Sequence, residues 1–389
     1  MIQAPSNATA SSGTAKASSL KGLPGGRWAH SLQSQWWKPR ATLLCRLLQP
    51  LSWLYQLLFA AHRVWVQVST RAPKESSANL ETTKPQNFIG SRHIPTLVVG
   101  NWVVGGAGKT PTCRALIEWL RDQGYTPGLI SRGYGRQNAA SAAPQEVSPA
   151  SRAIDVGDEP LLLARLTGVP TWVCRDRAAA RRALLQAHPE VDIVVSDDGL
   201  QHHALSRDLN IIVFDERGVG NGLCLPAGPL RQRLPLTPPP SSIVLFNASS
   251  PTVAWPGHLA HRRLAGLQSL ASWAAGEPLP QDGNWKLLQG LKPVAAAGIA
   301  VPQRFFDALQ QQGIACTELP LPDHHEFSSL PWPPDTADVI VTEKDAIKLQ
   351  AIEGLERLAT RMWVARLDFD CEPGFWRELQ SHLAAYRPT

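Results

Sequence analysis

One stretch limits the possible folds more than any other. Pro95–Asn101 reads as a short apolar strand, followed by Val103-Val104-Gly105-Gly106-Ala107-Gly108-Lys109-Thr110 and a helical run from Pro111 to Asp122. Strand, glycine loop, Gly-Lys-Thr and helix follow in the order of a phosphate-binding loop. The glycines let backbone N–H groups curl around phosphate oxygens, and the helix N-terminus adds the positive end of its dipole. In this pattern Gly105, Gly106, Ala107, Gly108, Lys109, Thr110 and Pro111 form the nucleotide cradle. Lys109 reaches the β- and γ-phosphates, and the Thr110 hydroxyl binds Mg²⁺. Background composition yields such a set in fewer than about one in a thousand chains of this length. The loop is a variant, because Val103 stands six residues before the lysine, where glycine is usual.

Downstream, Val191–Asp198 reads as a buried parallel strand ending in two carboxylates, Asp197 and Asp198. An acid at the C-terminal edge of such a strand is placed to hold Mg²⁺ beside the phosphates. Further strands read at Gly128–Ser131, Pro170–Cys174, Leu209–Phe214 and Ile243–Phe246, with helical stretches at Glu159–Thr167 and Arg177–Ala187. Alternating β and α elements predict an α/β fold of the P-loop NTPase type, a mostly parallel sheet with helices on both faces.

The charge is unevenly placed. Of a net +6, residues 1–95 carry +9 and the remainder −3. A nucleic-acid-binding body would carry its own basic stripe, so nucleic acid is excluded as the partner. The six cysteines lie far apart, with no CxxC pair and no zinc spacing, which reads as reduced and mostly buried thiols.

Residues 1–40, rich in Ala, Ser and Gly over the first 35, read as a disordered extension, and 69–93 as a linker or surface loop. Between them, 41–68 holds an uncharged run from Arg46 to Arg63 that gives about 24 Å of helix, short of the hydrocarbon core. Leu47, Leu51, Leu54 and Leu58 share one face, Trp53 and Tyr55 suit the headgroup zone, and basic residues flank both ends. An interfacial membrane helix fits this pattern; an ordinary core helix is the alternative.

The loop and a series of later runs resemble the tetraacyldisaccharide 4′-kinases, the lipid A 4′-kinases of Gram-negative bacteria. The runs are Val99-Gly100-Asn101, Gly105–Pro111, Ser131-Arg132-Gly133-Tyr134-Gly135, Gly157-Asp158-Glu159-Pro160, Asp197-Asp198-Gly199-Leu200-Gln201-His202 and Leu225–Arg231. Asp323-His324-His325 and Val341-Thr342-Glu343-Lys344-Asp345-Ala346 follow in the same order. The resemblance implies a P-loop kinase domain, here 94–270. It also implies linker strands and a smaller C-terminal α/β domain, here 271–389, whose last segment returns to the kinase domain.

The implied reaction transfers the γ-phosphate of MgATP to the 4′-hydroxyl of a tetraacylated glucosamine disaccharide 1-phosphate. ATP and Mg²⁺ are the cofactors. The partners are the acylated lipid acceptor and an anionic inner-membrane surface, the protein being a monomer bound peripherally at the cytoplasmic face. The resemblance also points to Asp158 as the catalytic base and to His324 as its partner, with His325 a rival for that place. Read from sequence alone, Asp158 is equally a helix N-cap before Glu159-Pro160. Arg132, Tyr134, Gln201, His202 and Arg231 are candidate substrate residues, and Asp345 a fold-holding one. The acid that usually follows the last arginine is Gln232 here. The competing reading is a membrane-associated switch ATPase, whose loop carries an extra lysine where this chain has Val104.

Overall fold

The computed structural model describes residues 32–71, 93–136, 143–202, 204–352 and 354–386. Of the 1–40 extension, residues 1–31 lie outside the described residues, as does the segment 72–92; residues 32–36 are helical, and Trp36 is buried with its Nε1 donating to the Pro226 carbonyl at 3.0 Å. The chain enters through helices α1 (Leu43–Leu47) and α2 (Gln49–Arg71). Then follow β1 (Thr96–Gly100), α3 (Lys109–Asp122), β2 (Pro127–Ser131), β3 (Gln145–Glu146), α4 (Ala153–Val156) and α5 (Asp158–Thr167). The same alternation continues through β4 (Thr171–Val173), α6 (Arg177–Ala187), β5 (Ile193–Asp197), β6 (Leu209–Asp215), β7 (Ser242–Asn247), β8 (His258–Ser269) and α7 (Leu270–Ala274). The C-terminal part adds β9 (Val294–Ala297), α8 (Pro302–Gln311), β10 (Thr317–Pro320), β11 (Asp338–Thr342), α9 (Glu343–Leu349), β12 (Arg361–Cys371) and α10 (Pro373–Leu383).

The strands form one sheet in the order β10-β9-β11-β12-β8-β7-β6-β1-β5-β2-β4-β3. Neighbours are parallel except β8 with β12 and β3 with β4. The mostly parallel α/β class read from sequence is therefore the class observed. Side chains alternate along β1: Leu97 and Val99 join the core on one face, Val98 that on the other. Burial on both faces explains why these strands are unbroken apolar runs.

β8 and β12, the two longest strands, pair antiparallel and join two parallel halves. They fall on either side of residue 270. After β12 the chain turns back, and α10 packs Phe375, Leu379 and Leu383 into the core beneath β1 and α3. The spacing of four residues keeps all three on one helix face. Five of the cysteines are buried, Cys316 is half-buried, and all six are free thiols.

Helix α2 is amphipathic with its apolar face turned outward. Leu51, Trp53, Leu54, Leu57 and Leu58 are 50–67% exposed, whereas Ser52 is buried. The Ser52 hydroxyl donates to the Cys224 carbonyl at 2.8 Å and accepts from the Ala227 N–H at 3.1 Å. Two turns of helix are thus pinned to the 220–231 loop by polar groups while the leucines face away. A helix of this chain's own core would bury these leucines; here they are exposed. Among the described residues, no helix is long and apolar enough to cross a membrane.

Candidate active site

A cleft of about 1720 Å³ runs along the carboxyl edge of the parallel strands. It is lined by the loop before α3, the ends of β2 and β5, the start of α8, the His324 loop and the inner face of α2. Ligands in open α/β sheets bind at this edge, because strand-to-helix turns there present helix N-termini.

The glycine loop is held by side chains from three other strand ends. Asn101, just beyond β1, donates from Nδ2 to the Gly105 carbonyl at 3.0 Å. Asn247, at the end of β7, donates to the Ala107 carbonyl at 3.2 Å. Arg217, after β6, donates to the Gly106 carbonyl at 2.8 Å while its guanidinium grips the buried Asp215. With the carbonyls turned to these donors, the loop is fixed before any ligand arrives. Gly108 has φ +92°, and a Cβ there would lie 1.9 Å from Asn247 Nδ2, so only glycine fits. Ala107 is buried; Gly106, Thr110 and Pro111 line or border the cleft. Lys109 begins α3, with Nζ 3.4 Å from Asn101 Oδ1 and 3.8 Å from Asp198 Oδ1.

The two acids at the end of β5 have different surroundings. Asp197 is buried, bonded by the Ser131 hydroxyl at 3.4 Å and faced by the Cys113 thiol at 3.8 Å. Burial, then the charge of Glu159, push its pKa up to about 7 against the opposing pull of Lys109. Asp198 has φ +49° and turns its carboxylate toward Arg231, which donates at 3.0 and 3.3 Å. Burial opposes its ionisation, but Lys109 and then Arg231 hold its pKa below the usual value. Gln201 accepts from Arg231 at 3.0 Å and donates to the Asn101 carbonyl at 3.1 Å. Lys109, Asp198, Arg231 and Gln201 thus form one connected group. The Arg231 carbonyl accepts from Tyr55 on α2 at 2.9 Å, linking the N-terminal helix to that group.

Across the cleft, Asp158 begins α5, behind Gly157 at φ +96°. A Cβ at Gly157 would sit 2.8 Å from the Tyr134 carbonyl, so the tight approach of the two turns requires glycine. Asp158 is 6% exposed, and its Oδ2 meets His324 Nδ1 at 2.9 Å. Burial raises the Asp158 pKa, but the His324 hydrogen bond, Lys344 and Lys348 outweigh it and bring the value down to about 2. The hydrogen bond to Asp158 raises the His324 pKa, with burial and Lys344 acting against it. His324 lies at φ +59°, a left-handed conformation that histidine adopts more readily than bulkier residues and that often marks functional strain.

His325 does not reach Asp158. Its Nδ1 accepts from the Phe327 N–H at 3.1 Å, and its ring lies edge-on to Phe327. Of the two histidines, His324 makes the contact.

Tyr134 is 63% exposed, with its ring 5.3 Å from that of His324; Arg132 is exposed on the same turn. His202 stands apart from both groups, 3.9 Å from Asp176, and burial and then Arg177 pull its pKa down to about 4. Asp345 is fully buried, its Oδ2 accepting from the Gly298 N–H at 3.0 Å and from the Thr342 hydroxyl at 2.7 Å. Those bonds tie β9 to the start of α9.

Sequence reading passed over Asn101, Asn247, Arg217 and Lys344 as site residues. Lys344 Nζ lies 3.2 Å from Glu159, 3.3 Å from Asp323 and 3.4 Å from His324 Nε2. Asn101 and Lys344 both lay inside recognised runs. Asn247 and Arg217 carried no local signal, since each matters only because of where its strand falls in the sheet, β6 beside β1 and β7 one strand further.

Together these features define a class: an α/β enzyme with its site at the carboxyl edge of a mostly parallel sheet, faced by groups from the C-terminal half of the chain. The model of the tetraacyldisaccharide-1-P 4′-kinase family matches residues 44–384. A tetraacyldisaccharide 4′-kinase of Leptothrix cholodnii is 53% identical over 300 residues, covering 76% of this chain and 84% of that protein. One from Herminiimonas arsenicoxydans is 39% identical over 357 residues, covering 89% and 94%. The chain belongs to the tetraacyldisaccharide 4′-kinase family. Its fold is shared with the Aquifex aeolicus LpxK crystal structure in complex with ATP, at a TM-score of 0.64 and 24% identity over 88% of this chain and 99% of that one.

Proposed function

We propose that this protein transfers the γ-phosphate of MgATP to the 4′-hydroxyl of a tetraacylated glucosamine disaccharide 1-phosphate. One observation carries the reading. The glycine loop with Lys109 and His324, which is bonded to the covered Asp158, border one cleft, which also reaches Tyr55 and Phe59 on the helix with outward leucines. A phosphate donor site, a proton acceptor and an entry from a lipid surface are thus contiguous.

The steps follow from the groups present. N–H groups of the loop and the start of α3 bind the phosphates, and Lys109 offsets the charge on the transferring group. Asp158, the base that the resemblance implies, is covered while His324 faces the cleft, so the pair accepts the hydroxyl proton together: the imidazole receives it and the Asp158 carboxylate stabilises the resulting imidazolium through Nδ1–H. The carboxylate's low pKa keeps it ionised for that purpose. Phosphoryl transfer has a loose transition state, so the hydroxyl proton leaves late and a modest acceptor suffices. Closure by the second lobe excludes water from the transferring group.

The residues present suit Mg²⁺. Asp197 is a buried acid whose ionisation burial and Glu159 oppose, a penalty that a divalent cation relieves. Thr110, Asp197 and Asp198 would hold the ion. Mg²⁺ needs few protein ligands because phosphates and waters complete its shell, in keeping with the absence of a three-ligand cluster among the described residues. When bound, it neutralises charge on the phosphates.

The outward leucines of α2, beside a +9 N-terminal region, support peripheral binding to an anionic membrane, which for this acceptor is the cytoplasmic face of the inner membrane. Every group named comes from one chain, so a monomer suffices. A switch ATPase would have no use for the Asp158–His324 pair.

The decisive assay gives the purified full chain γ-labelled ATP, Mg²⁺ and the disaccharide acceptor in detergent micelles. Label should appear in the lipid at a rate that Lys109→Ala lowers at least a hundredfold, a loss typical of a phosphate-neutralising group. Lipid left unlabelled by the wild type would overturn the kinase reading.

A further inference from the structure

The glycine loop is held from outside the cleft by Arg217, and Arg217 is held in turn by the start of the chain. Its Nη2 donates to the Gly106 carbonyl at 2.8 Å, and its Nε to Asp215 Oδ2 at 2.9 Å. Both bonds run in the guanidinium plane, where the N–H donors point. Asp215 secures that plane only in part, because Arg304 from α8 bonds the same Oδ2 at 3.2 Å. Gly106 is itself exposed, so water competes for its carbonyl. The face of the guanidinium is what remains, and Trp37 covers it, with Cζ 4.1 Å from the ring centroid. An indole face attracts the cation through its quadrupole and stacks the guanidinium in a fixed plane.

Trp37 is set in place by its neighbour. Trp36 is buried, its indole N–H donates to the Pro226 carbonyl at 3.0 Å, and its carbonyl accepts from the Asn221 N–H at 2.7 Å. Those two bonds dock this short segment on the loop that follows Arg217. Trp37, the next residue, is half-buried against the core that holds Phe214, Phe246 and Trp255. Neither tryptophan lines the cleft, so neither touches a molecule bound there. Whatever Trp37 does for the site passes through Arg217.

We propose that Trp37 is a positioning residue for the nucleotide: its ring holds the Arg217 guanidinium against the Gly106 carbonyl and so presets the glycine loop. A loop ordered beforehand spares a ligand the cost of ordering it. Released from Arg217, the Gly106 carbonyl would turn to water, and the neighbouring N–H groups would have to be realigned as phosphates bind. A stretch that composition marks as part of an extension thus supplies a piece of the nucleotide site. The proposal rests on the reading of the loop as the ATP cradle and adds a residue that tunes it.

The test measures ATP binding to the full chain by equilibrium dialysis with Mg²⁺, beside KM for the lipid acceptor in the transfer assay. Trp37→Leu keeps an apolar cover and removes the π face; Trp37→Phe keeps a face. The leucine variant should raise the Kd for ATP about fivefold, the size of one cation–π contact, and leave KM for the acceptor within about twofold. The phenylalanine variant should recover most of the loss. In an Arg217→Gln background, Trp37→Leu should weaken ATP no further. An unchanged Kd in the folded leucine variant, equal losses in both variants, or the same loss without Arg217 would overturn the proposal. Should the leucine variant fail to fold, fluorinated tryptophans placed at position 37 weaken the quadrupole while nearly keeping the shape. The Kd should then climb with each added fluorine, and a flat series would overturn the proposal. Wild-type protein that binds ATP but labels no lipid would sink the kinase reading and leave the role of Trp37 standing on the Kd series. Wild-type protein that binds no ATP would overturn the cradle and the proposal together.

Discussion

Replacing Asp158 by Asn separates catalysis from stability at the centre of the proposed mechanism. The side chain keeps its size and loses its charge, in a position 6% exposed and 2.9 Å from His324. The native carboxylate titrates at about 2 against an ordinary 3.8, so its surroundings favour the ionised form by about 2.5 kcal/mol. That figure is the ceiling on lost stability, because Lys344 keeps Glu159 and Asp323, and Lys348 keeps Asp345. A loss of this size leaves a protein of ordinary stability folded. Catalysis should suffer more. Without the carboxylate, nothing stabilises an imidazolium, and the amide can present its NH₂ to Nδ1 and fix the wrong tautomer. A general-base contribution is worth 10²–10⁴ in rate, or about 3–5.5 kcal/mol. The expected result is a kcat down by that factor, with KM for ATP unchanged and the folded fraction intact by thermal denaturation. A kcat within fivefold of wild type, in a folded variant, would refute the assignment of Asp158.

Other consequences follow from the same geometry. Because the folded His324 pKa is raised above 6.5, its pairing stabilises the fold fully below pH 6.5 and that stabilisation fades as pH rises through the folded value. Transfer by a neutral imidazole should rise over the same window; His324→Gln should flatten both the thermal-midpoint and the rate profiles. Asp197 also has a raised pKa, so its contribution to stability falls as pH rises from the ordinary carboxylate value of 3.8 to about 7 and stays lost above that; Asp197→Asn should therefore raise the ligand-free thermal midpoint at pH 8 while abolishing Mg²⁺-dependent transfer. The double change Leu54→Glu and Leu58→Glu alters only exposed positions, 50% and 62% accessible, and should release the protein from anionic vesicles in a flotation assay without lowering the thermal midpoint. Deleting the whole helix is a poorer test, since it strips Ser52 and Tyr55 from their partners on the 220–231 loop.

Much was legible in the chain itself, and the reason is locality. The strand–loop–helix of the glycine loop is written in consecutive residues, and its special backbone at Gly108 needs a residue that only one code supplies. The unbroken apolar runs at β1, β5, β6 and β7 announce strands covered on both faces, which fixes a mostly parallel sheet. The leucine face of α2 was visible as a period of three and four.

Its direction was not visible, and there the tertiary structure decided. The Ser52 and Tyr55 bonds reach partners more than 170 residues away, and these turn the leucines outward. The choice of His324 over His325 turned on a left-handed backbone at one residue, which sets one imidazole toward Asp158 and the other against Phe327. Two adjacent aspartates, alike on paper, became a buried acid near neutrality and an ion-paired one because burial and Glu159 prevail at the first, and Lys109 and Arg231 at the second. The sequence determined which backbone could cradle a phosphate, since that depends on neighbours along the chain. Which charges face one another across the cleft depends on neighbours across strands, and only the folded chain sets those distances.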